Sequence, residues 1–588
     1  MKTNFNRRKF IRPLAIALSI YLTTGCGSAV LAASESSQVG QNLEAETYQS
    51  DVVMRAMKDE LDRSMKSLKL PNYPLPYFGS CTVTDEEFAQ ISASFGALSI
   101  KDVSRNRQSD FTLRVGDKQL DNTTAGGGGL RALLGMQSRL VQEDNYDAIR
   151  RDLWTQADRS YKQAVESLTS ARAQMNYVDV EDKPDAFSDA PTIVSVKKEA
   201  HLTADVDEWA MRVKALSAIF KEYKTIKDSS VYMNIRARTT RLVNSEGSIV
   251  KYGETGALIF FGASSQNKDG MTVSDGEFLA GETESTLPSQ AEMEKVVRKL
   301  CDRVSGLVVA QRAQEYSGPV LFEKEAAAEL LSSMLPSLVC ARHEMGGVGA
   351  DDTHKLNKPI LAGSISVVDD PIQKEFKAKF LKSGWDIDYE GVAARRLTLI
   401  DKGILKTLCS TRTPNRVMKV SNGHNRGGAA SPGHLFVSSD AGTSFAALRQ
   451  KLIEAGKKEG LEHVLIVRRI RPSFASGGQM LDVERFNGNS ISLNQVVKVD
   501  VKTGSEQLLR GARLKNISKK NLLTMQAASD DADVYVVNFP TDNSSTTIGM
   551  VTPSVLLADV DFAKPLHTTE KAPYLENPYF EGQNGNGK

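Results

Sequence analysis

Residues 318–337 read GPVLFEKEAAAELLSSMLPS, and the reading of this stretch organises the rest of the chain. From Glu323 onward, Ala326, Ala327, Leu330, Leu331, Met334 and Leu335 recur at three- and four-residue intervals, the spacing of one buried helical face. Pro336 ends or kinks that helix, because its ring removes an amide donor and crowds the preceding turn. Beyond Ile360 the texture changes to short β-branched runs, ISVVD, RRLTLI, HLFVSS, HVLIVRRI, VVKVDV, VYVVNF and SVLLADVDF, separated by glycine, asparagine and aspartate. Such runs predict strands. Residues 317–588 are therefore expected to form a β-rich domain with one helix, Glu323 to Leu335, packed against it.

Upstream, residues 50–316 alternate strand-like and helical patterns, which predicts an α+β domain. A helix is expected from Asp51 to Leu70, stopped by Pro71, Pro74 and Pro76. Strand-like runs follow around Phe95 to Val103 and Ser109 to Leu120. Gly126 to Gly129 lacks the GK[ST] that would make it a phosphate cradle and reads as a turn. Trp154, Ala157, Tyr161, Val165 and Leu168 make one core-facing stripe, and Val206, Trp209, Val213, Leu216 and Phe220 make another. From Val231 to Phe261 the pattern is extended, with Val231, Met233 and Ile235 on one face. Ser289 and Glu292 form a capping box for a helix carrying Met293, Val296, Leu300 and Val304.

With 588 residues, 40% apolar and 25% charged, the chain is long enough for two cores. Its 74 basic and 72 acidic residues are interspersed, for a net charge of +2, so nothing calls for a nucleic-acid partner. The first twelve residues carry Lys2, Arg7, Arg8, Lys9 and Arg12 with no acid, ahead of an apolar segment from Leu14 to Leu22. This is the pattern of an export signal over residues 1–33, too short for a membrane span, followed by a flexible tether over 34–49. Asn6 to Ile11, NRRKFI, resembles the twin-arginine motif, and general secretion remains the alternative. Cleavage is expected after Ala32 or Ala33, with lipidation at Cys26 the lesser option because Thr23 replaces the usual aliphatic residue. The expected location is extracytoplasmic, in the periplasm. Without Cys26, the cysteines Cys81, Cys301, Cys340 and Cys409 allow three complete pairings; the simpler expectation is buried free thiols.

The run GPVLFE followed by AAAELL resembles the start of the C-terminal domain of the TldD/TldE (PmbA) metallopeptidase family. SVVDDP (366–371), DYEGVAARRLTLIDKGILKTLCSTRTP (388–414), SNGHNRGG (421–428) and LLRGARL (508–514) continue the resemblance in order, and LRVGDKQLDN (113–122) and RLVNSEGS (241–248) extend it upstream. In the TldD branch the helix carries HExxxH, two imidazoles and a general base around one zinc. Carried over, those positions are Ser332, Ser333 and Ser337. None is a zinc ligand, and no cysteine follows Cys409, whereas the TldD branch uses one near its C-terminus. The resemblance thus implies a TldD/TldE-type C-terminal domain without the known metal ligands, closer to the TldE branch or to a separate degenerate group than to an intact zinc enzyme, with a substrate cavity and a homodimer or a heterodimer with a related chain.

Two sets of residues are candidates to rebuild a site. His343, Glu344, Asp351, Asp352 and His354 lie in one polar, glycine-rich loop. In SNGHNRGG, which the resemblance places at the substrate cavity, Asn422, His424 and Arg426 are expected to contact substrate, with glycines that let backbone amides face a ligand. Ser332, Ser333 and Ser337 lack a GxSxG or SxxK context and are expected to line a pocket without acting as nucleophiles. Two functions follow. One is a non-catalytic subunit that holds a peptide or unfolded polypeptide, with no cofactor, binding it along strand edges. The other is a peptidase or other hydrolase with a replaced active site, in which zinc would return as cofactor.

Overall fold

A computed structural model describes residues 48–565 and 579–580, apart from 125–137, 178–182, 343, 346–347, 350–354, 471–489, 516 and 541–544. The export signal, most of the tether and the glycine run 126–129 lie outside the described residues.

The α+β expectation holds. The N-terminal half is built on a seven-stranded sheet whose centre is four long antiparallel strands, Phe78–Ser94, Ala97–Arg114, Asp228–Asn244 and Ile249–Gln266, with Thr272–Gly281 beside the last. The strand-like runs expected from 95 and from 109 are one continuous strand, and the chain reverses at Phe95-Gly96, both at positive φ (44° and 75°). That two-residue turn matches the twist of a hairpin. Alternation failed as a signal there because residues 97–105 are exposed on both faces.

One face of the sheet is apolar. Val231, Met233, Ile235, Ile259 and Phe261 pack against helices Val206–Ala218 and Gln290–Val309, through Trp209, Val213, Leu216, Met293, Leu300 and Val304. The Ser289–Glu292 capping box forms as expected. Helix Val52–Ser67, capped by Asp51, and helix Tyr146–Met175 cover a second core with Cys81, Val83 and Phe111. In the latter helix Ala157, Tyr161, Val165 and Leu168 turn inward with Leu153, whereas Trp154 stays 50% exposed. Trp154 lies one residue, about 100° of helical turn, off the buried stripe.

The C-terminal half contains an eight-stranded and a six-stranded sheet. Helix Lys324–Met334 packs against strands of both, His463–Ile470 on one side, Asp533–Pro540 and Ser545–Thr552 on the other. Ala326, Ala327, Ala328, Leu330 and Leu331 are all buried in the resulting core. Pro336 opens a short further turn, Pro336–Val339. This helix does not stand alone: Phe445–Lys458, N-capped by Ser444, lays Leu448, Leu452 and Ile453 against Leu321, Val464, Ile466, Val497 and Val499 of the eight-stranded sheet. No described helix is long and apolar enough to cross a membrane.

Arg412 ties the two halves together. Fully buried, it donates to the Ser188 carbonyl at 2.8 Å and pairs with Glu246 at 2.7 Å. Its guanidinium lies 4.0 Å from the Phe187 ring centre and 5.0 Å from that of Phe78.

Candidate ligand-binding site

The helical serines stay bonded within their own helix turns. Ser332 Oγ donates to the Glu329 carbonyl at 2.9 Å and Ser333 Oγ to that of Leu330 at 2.6 Å, while Ser337 Oγ donates to Met334 at 3.4 Å. Ser332 is buried in the core and Ser337 is exposed, so the three hydroxyls do not converge. They line neither of the two cavities described below. Three hydroxyls already bonded to carbonyls are not a donor set for zinc, which takes thiolate, imidazole or carboxylate. Of the alternative loop, His343, Asp351, Asp352 and His354 lie outside the described residues, as does the side chain of Glu344.

The 421–428 loop divides its labour. Gly423 sits at φ +83° where a Cβ would come within 2.1 Å of the Ala393 carbonyl oxygen, so only glycine fits. Asn422 is inward, its Oδ1 accepting from the Ser410 amide and its Nδ2 donating to Leu408, both at 2.8 Å. His424 is wholly buried: Nδ1 faces the Asn422 carbonyl at 3.0 Å and Nε2 faces Asp369 Oδ2 at 2.7 Å. Each ring nitrogen thus faces an acceptor, a backbone carbonyl on one side and a carboxylate on the other. Asp369 Oδ1 accepts from the Gly433 and His434 amides, at 2.9 Å each.

Ligand atoms of Asp369, His424 and Cys409 lie within 4.8 Å of one another. Burial pushes the Cys409 thiol far up, and its hydrogen bond with Cys340, its neighbour across a parallel bridge, adds to this. The four described cysteines, Cys81, Cys301, Cys340 and Cys409, are buried and free. The donor types suit a metal, yet Asp369, Cys409 and His424 are all solvent-inaccessible. A hydrolytic ion needs an open position for water, so this cluster does not fit one; it fixes the loop.

Only Arg426 of the three expected substrate residues reaches a cavity. Between the exposed-side face of the first sheet and the loops 382–389 and 426–427 lies a space of about 480 Å³, lined among others by Glu86, Asn234, Arg236, Arg238, Lys382, Tyr389 and Arg426. Strand alternation explains the first sheet's part: Val231, Met233 and Ile235 point into the core, so Asn234, Arg236 and Arg238 point the other way. Arg426 stacks between Trp385 and Tyr389, 4.6 and 4.3 Å from their ring centres. Lys382 sits in a loop pinned by its carbonyl, which accepts from the Gly549 amide and faces His434 Nε2, at 3.1 Å each. Next to it Ser383, also lining the cavity, has φ +83°, a strained value for a serine.

Cations outnumber acids here. Glu86 pairs with Arg238 at 3.0 Å and lies 3.6 Å from Arg236, and Glu254 acts on both arginines from nearby. Lys382 and Arg426 form no salt bridge among the described residues. Burial lowers the Lys382 ammonium to about 8, with Arg236 adding to the effect. Burial likewise pushes Arg236 below its usual value, helped by Arg238. Sequence reading missed Arg236, Arg238 and Lys382. The polar alternation 234–236–238 was the signal, and it looks the same as a solvated strand face.

A second cavity, about 400 Å³, is lined by Arg303, Glu323, Glu325, Arg468, Arg469 and Asp531 with neighbours. Its charges are paired: Arg468 with Glu323, Arg469 with Glu325, and Lys324 with Asp531.

Residues 314–564 match the model of the PmbA/TldA metallopeptidase C-terminal domain. No curated protein matches the chain. Three solved structures share the fold at low identity. TldE from Thermococcus kodakarensis superposes with a TM-score of 0.54 at 14% identity, covering 86% of this chain and 100% of its own. A proposed modulator of a DNA gyrase from Thermotoga maritima gives 0.55 at 13%, covering 88% and 100%. Another from Bacteroides thetaiotaomicron gives 0.52 at 12%, covering 87% and 98%. The ordered motifs of the sequence and the domain match agree over residues 314–564, which form a PmbA/TldA metallopeptidase C-terminal domain, and the fold is shared with these structures across most of the chain.

Proposed function

We propose that this protein is an exported, non-catalytic TldD/TldE-family subunit that holds an extended peptide or unfolded polypeptide, alone as a homodimer or beside a related chain that carries the catalytic metal. The observation that carries the reading is the contrast between helix 324–334 and the cavity. At the positions that carry HExxxH in the TldD branch, two hydroxyls of this helix and one of the turn after it are bonded to nearby carbonyls, while a polar cavity large enough for a short peptide segment lies open beside Arg426. Binding would use side chains of a sheet face, since Asn234, Arg236 and Arg238 belong to a strand paired on both sides, and strand-edge addition is not available there. Export rests on the basic, then apolar, N-terminus.

The test is zinc content by mass spectrometry together with peptide cleavage, on mature protein purified without chelators or a histidine tag. No zinc and no cleavage, with peptide retained, is the expected result. About one zinc per chain with cleavage would overturn the non-catalytic reading.

A further inference from the structure

We propose that the 480 Å³ cavity captures the carboxylate-bearing end of a peptide, with Arg236, Arg238, Lys382 and Arg426 around the carboxylate and Asn234 taking a peptide N–H. The inference rests on the peptide-holding function above and names which part of the peptide is recognised.

Three observations carry it. First, four cationic side chains line the space against the single carboxylate of Glu86, and Glu254 nearby still leaves positive charge in excess. Like charges crowded in a partly desolvated space repel one another, so an anionic ligand is the missing counter-charge. Second, the lining residues hold buried polar atoms without partners: Arg238 Nε, Arg426 Nη1 and Asn234 Oδ1. Unpaired buried donors and acceptors are rare in a folded protein and mark a missing partner. Two of these are donors, suited to carboxylate oxygens; the third is an acceptor, held by the bond from Asn234 Nδ2 to the Tyr232 hydroxyl at 3.3 Å. A ligand that satisfies all three offers both oxygens and an N–H, which a peptide terminus does and inorganic phosphate at neutral pH does less well. Third, the site is pre-organised. Arg426 is clamped between Trp385 and Tyr389, and the Lys382 backbone is fixed from two elements, so little ordering remains to oppose binding.

The experiment uses the mature full-length protein at pH 7 and a pool of random pentapeptides, presented once as free acids and once as C-terminal amides. Retention is read by mass spectrometry, and inorganic phosphate is titrated as competitor and, separately, as sole ligand. At least tenfold stronger retention of the free acids is expected, with the difference erased in Arg426→Gln and in Lys382→Met. The second variant leaves the aromatic clamp untouched, and circular dichroism melts verify that both fold. Equal retention of acids and amides overturns carboxylate capture while leaving peptide holding intact. Phosphate binding with no peptide of either kind retained overturns both, as does retention of nothing.

Discussion

Two charged regions join the halves of this molecule, and they are resolved in opposite ways. Around Arg469, the strand 272–281, helix 290–309, strands 463–470 and 490–500 and helix 324–334 contribute two arginines and three carboxylates. Arg469 pairs with Glu325 at 2.7 Å and with Glu277 at 2.9 Å, Arg303 with Asp275 at 2.6 Å, and Asn494 donates to Asp275 at 3.1 Å. Around Arg426, four cations face one carboxylate, and three polar atoms have no hydrogen bond; the one such atom in the Arg469 set, Arg469 Nε, still lies 3.4 Å from the Asp275 carboxylate. The protein pairs the charges of the Arg469 cluster with one another and leaves the Arg426 cavity with cations in excess. Closed charge sets are architecture, and an open one marks where a ligand completes the structure.

Breaking the closed region should cost most. Asp275 is 1% exposed and holds Arg303, Asn494 and Gln495, so Asp275→Ala leaves buried guanidinium groups short of a counter-charge. A loss of about 3–5 kcal/mol is expected for removing one partner of such a set, read from the denaturant midpoint. A change within error would mean the region is solvated and the contrast with the Arg426 cavity is false.

The open region should behave in reverse. Arg236→Gln removes one of several like charges, so the denaturant midpoint should stay level or rise. Free-acid peptide binding should weaken by about 1.5–3 kcal/mol, the usual worth of a hydrogen bond to a charged group. Loss of stability without loss of binding would reclassify Arg236 as structural.

How far this contrast was legible in the sequence depends on which side chains periodicity reports. Helix 324–334 and the stripe from Trp209 to Phe220 were readable because burial of one face imposes the 3.6-residue spacing, and the capping box at Ser289 is a local bond needing no tertiary context. Helix 445–458 carried the same signal, Ser444 ahead of Leu448, Leu452 and Ile453, in a region that otherwise reads as short strands. The cavity was not readable. Asn234, Arg236 and Arg238 alternate as any solvated strand face does, and what makes them a site is the arrival of Lys382 and Arg426 from more than 140 residues away. Asn422 and His424 look like ligand contacts because polar residues among glycines do; only the structure places Asp369 and Ser410 beneath them.

A titration sharpens the comparison further. Lys382, lowered by burial to about 8 with Arg236 beside it, is the cavity cation whose charge changes near neutrality; Arg236, Arg238 and Arg426 face it as guanidinium groups, which keep their charge there, along with Glu86, Tyr389 and the nearby Glu254. Free-acid peptide affinity should therefore be highest below pH 8 and fall as pH rises through that value. Lys382→Met should remove the fall. A pH-independent affinity in the wild-type chain would take Lys382 out of the site.

The smallest expected effect returns to the closed region. Glu325 is pushed up to about 7, by burial first, against the pull of Arg469, with Glu277 and Asp275 adding to the rise. A carboxyl whose folded value exceeds its unfolded one, about 4.3, binds more protons when folded. Its contribution to stability is therefore fully present below pH 4 and is lost as pH rises toward 7. The Glu325 side chain keeps 27% of its surface exposed toward the second cavity, so water damps the effect. Glu325→Gln should flatten the decline in the denaturant midpoint between pH 5 and 7 and change little else. If the variant keeps the wild-type slope, Glu325 is not the group whose protonation sets it.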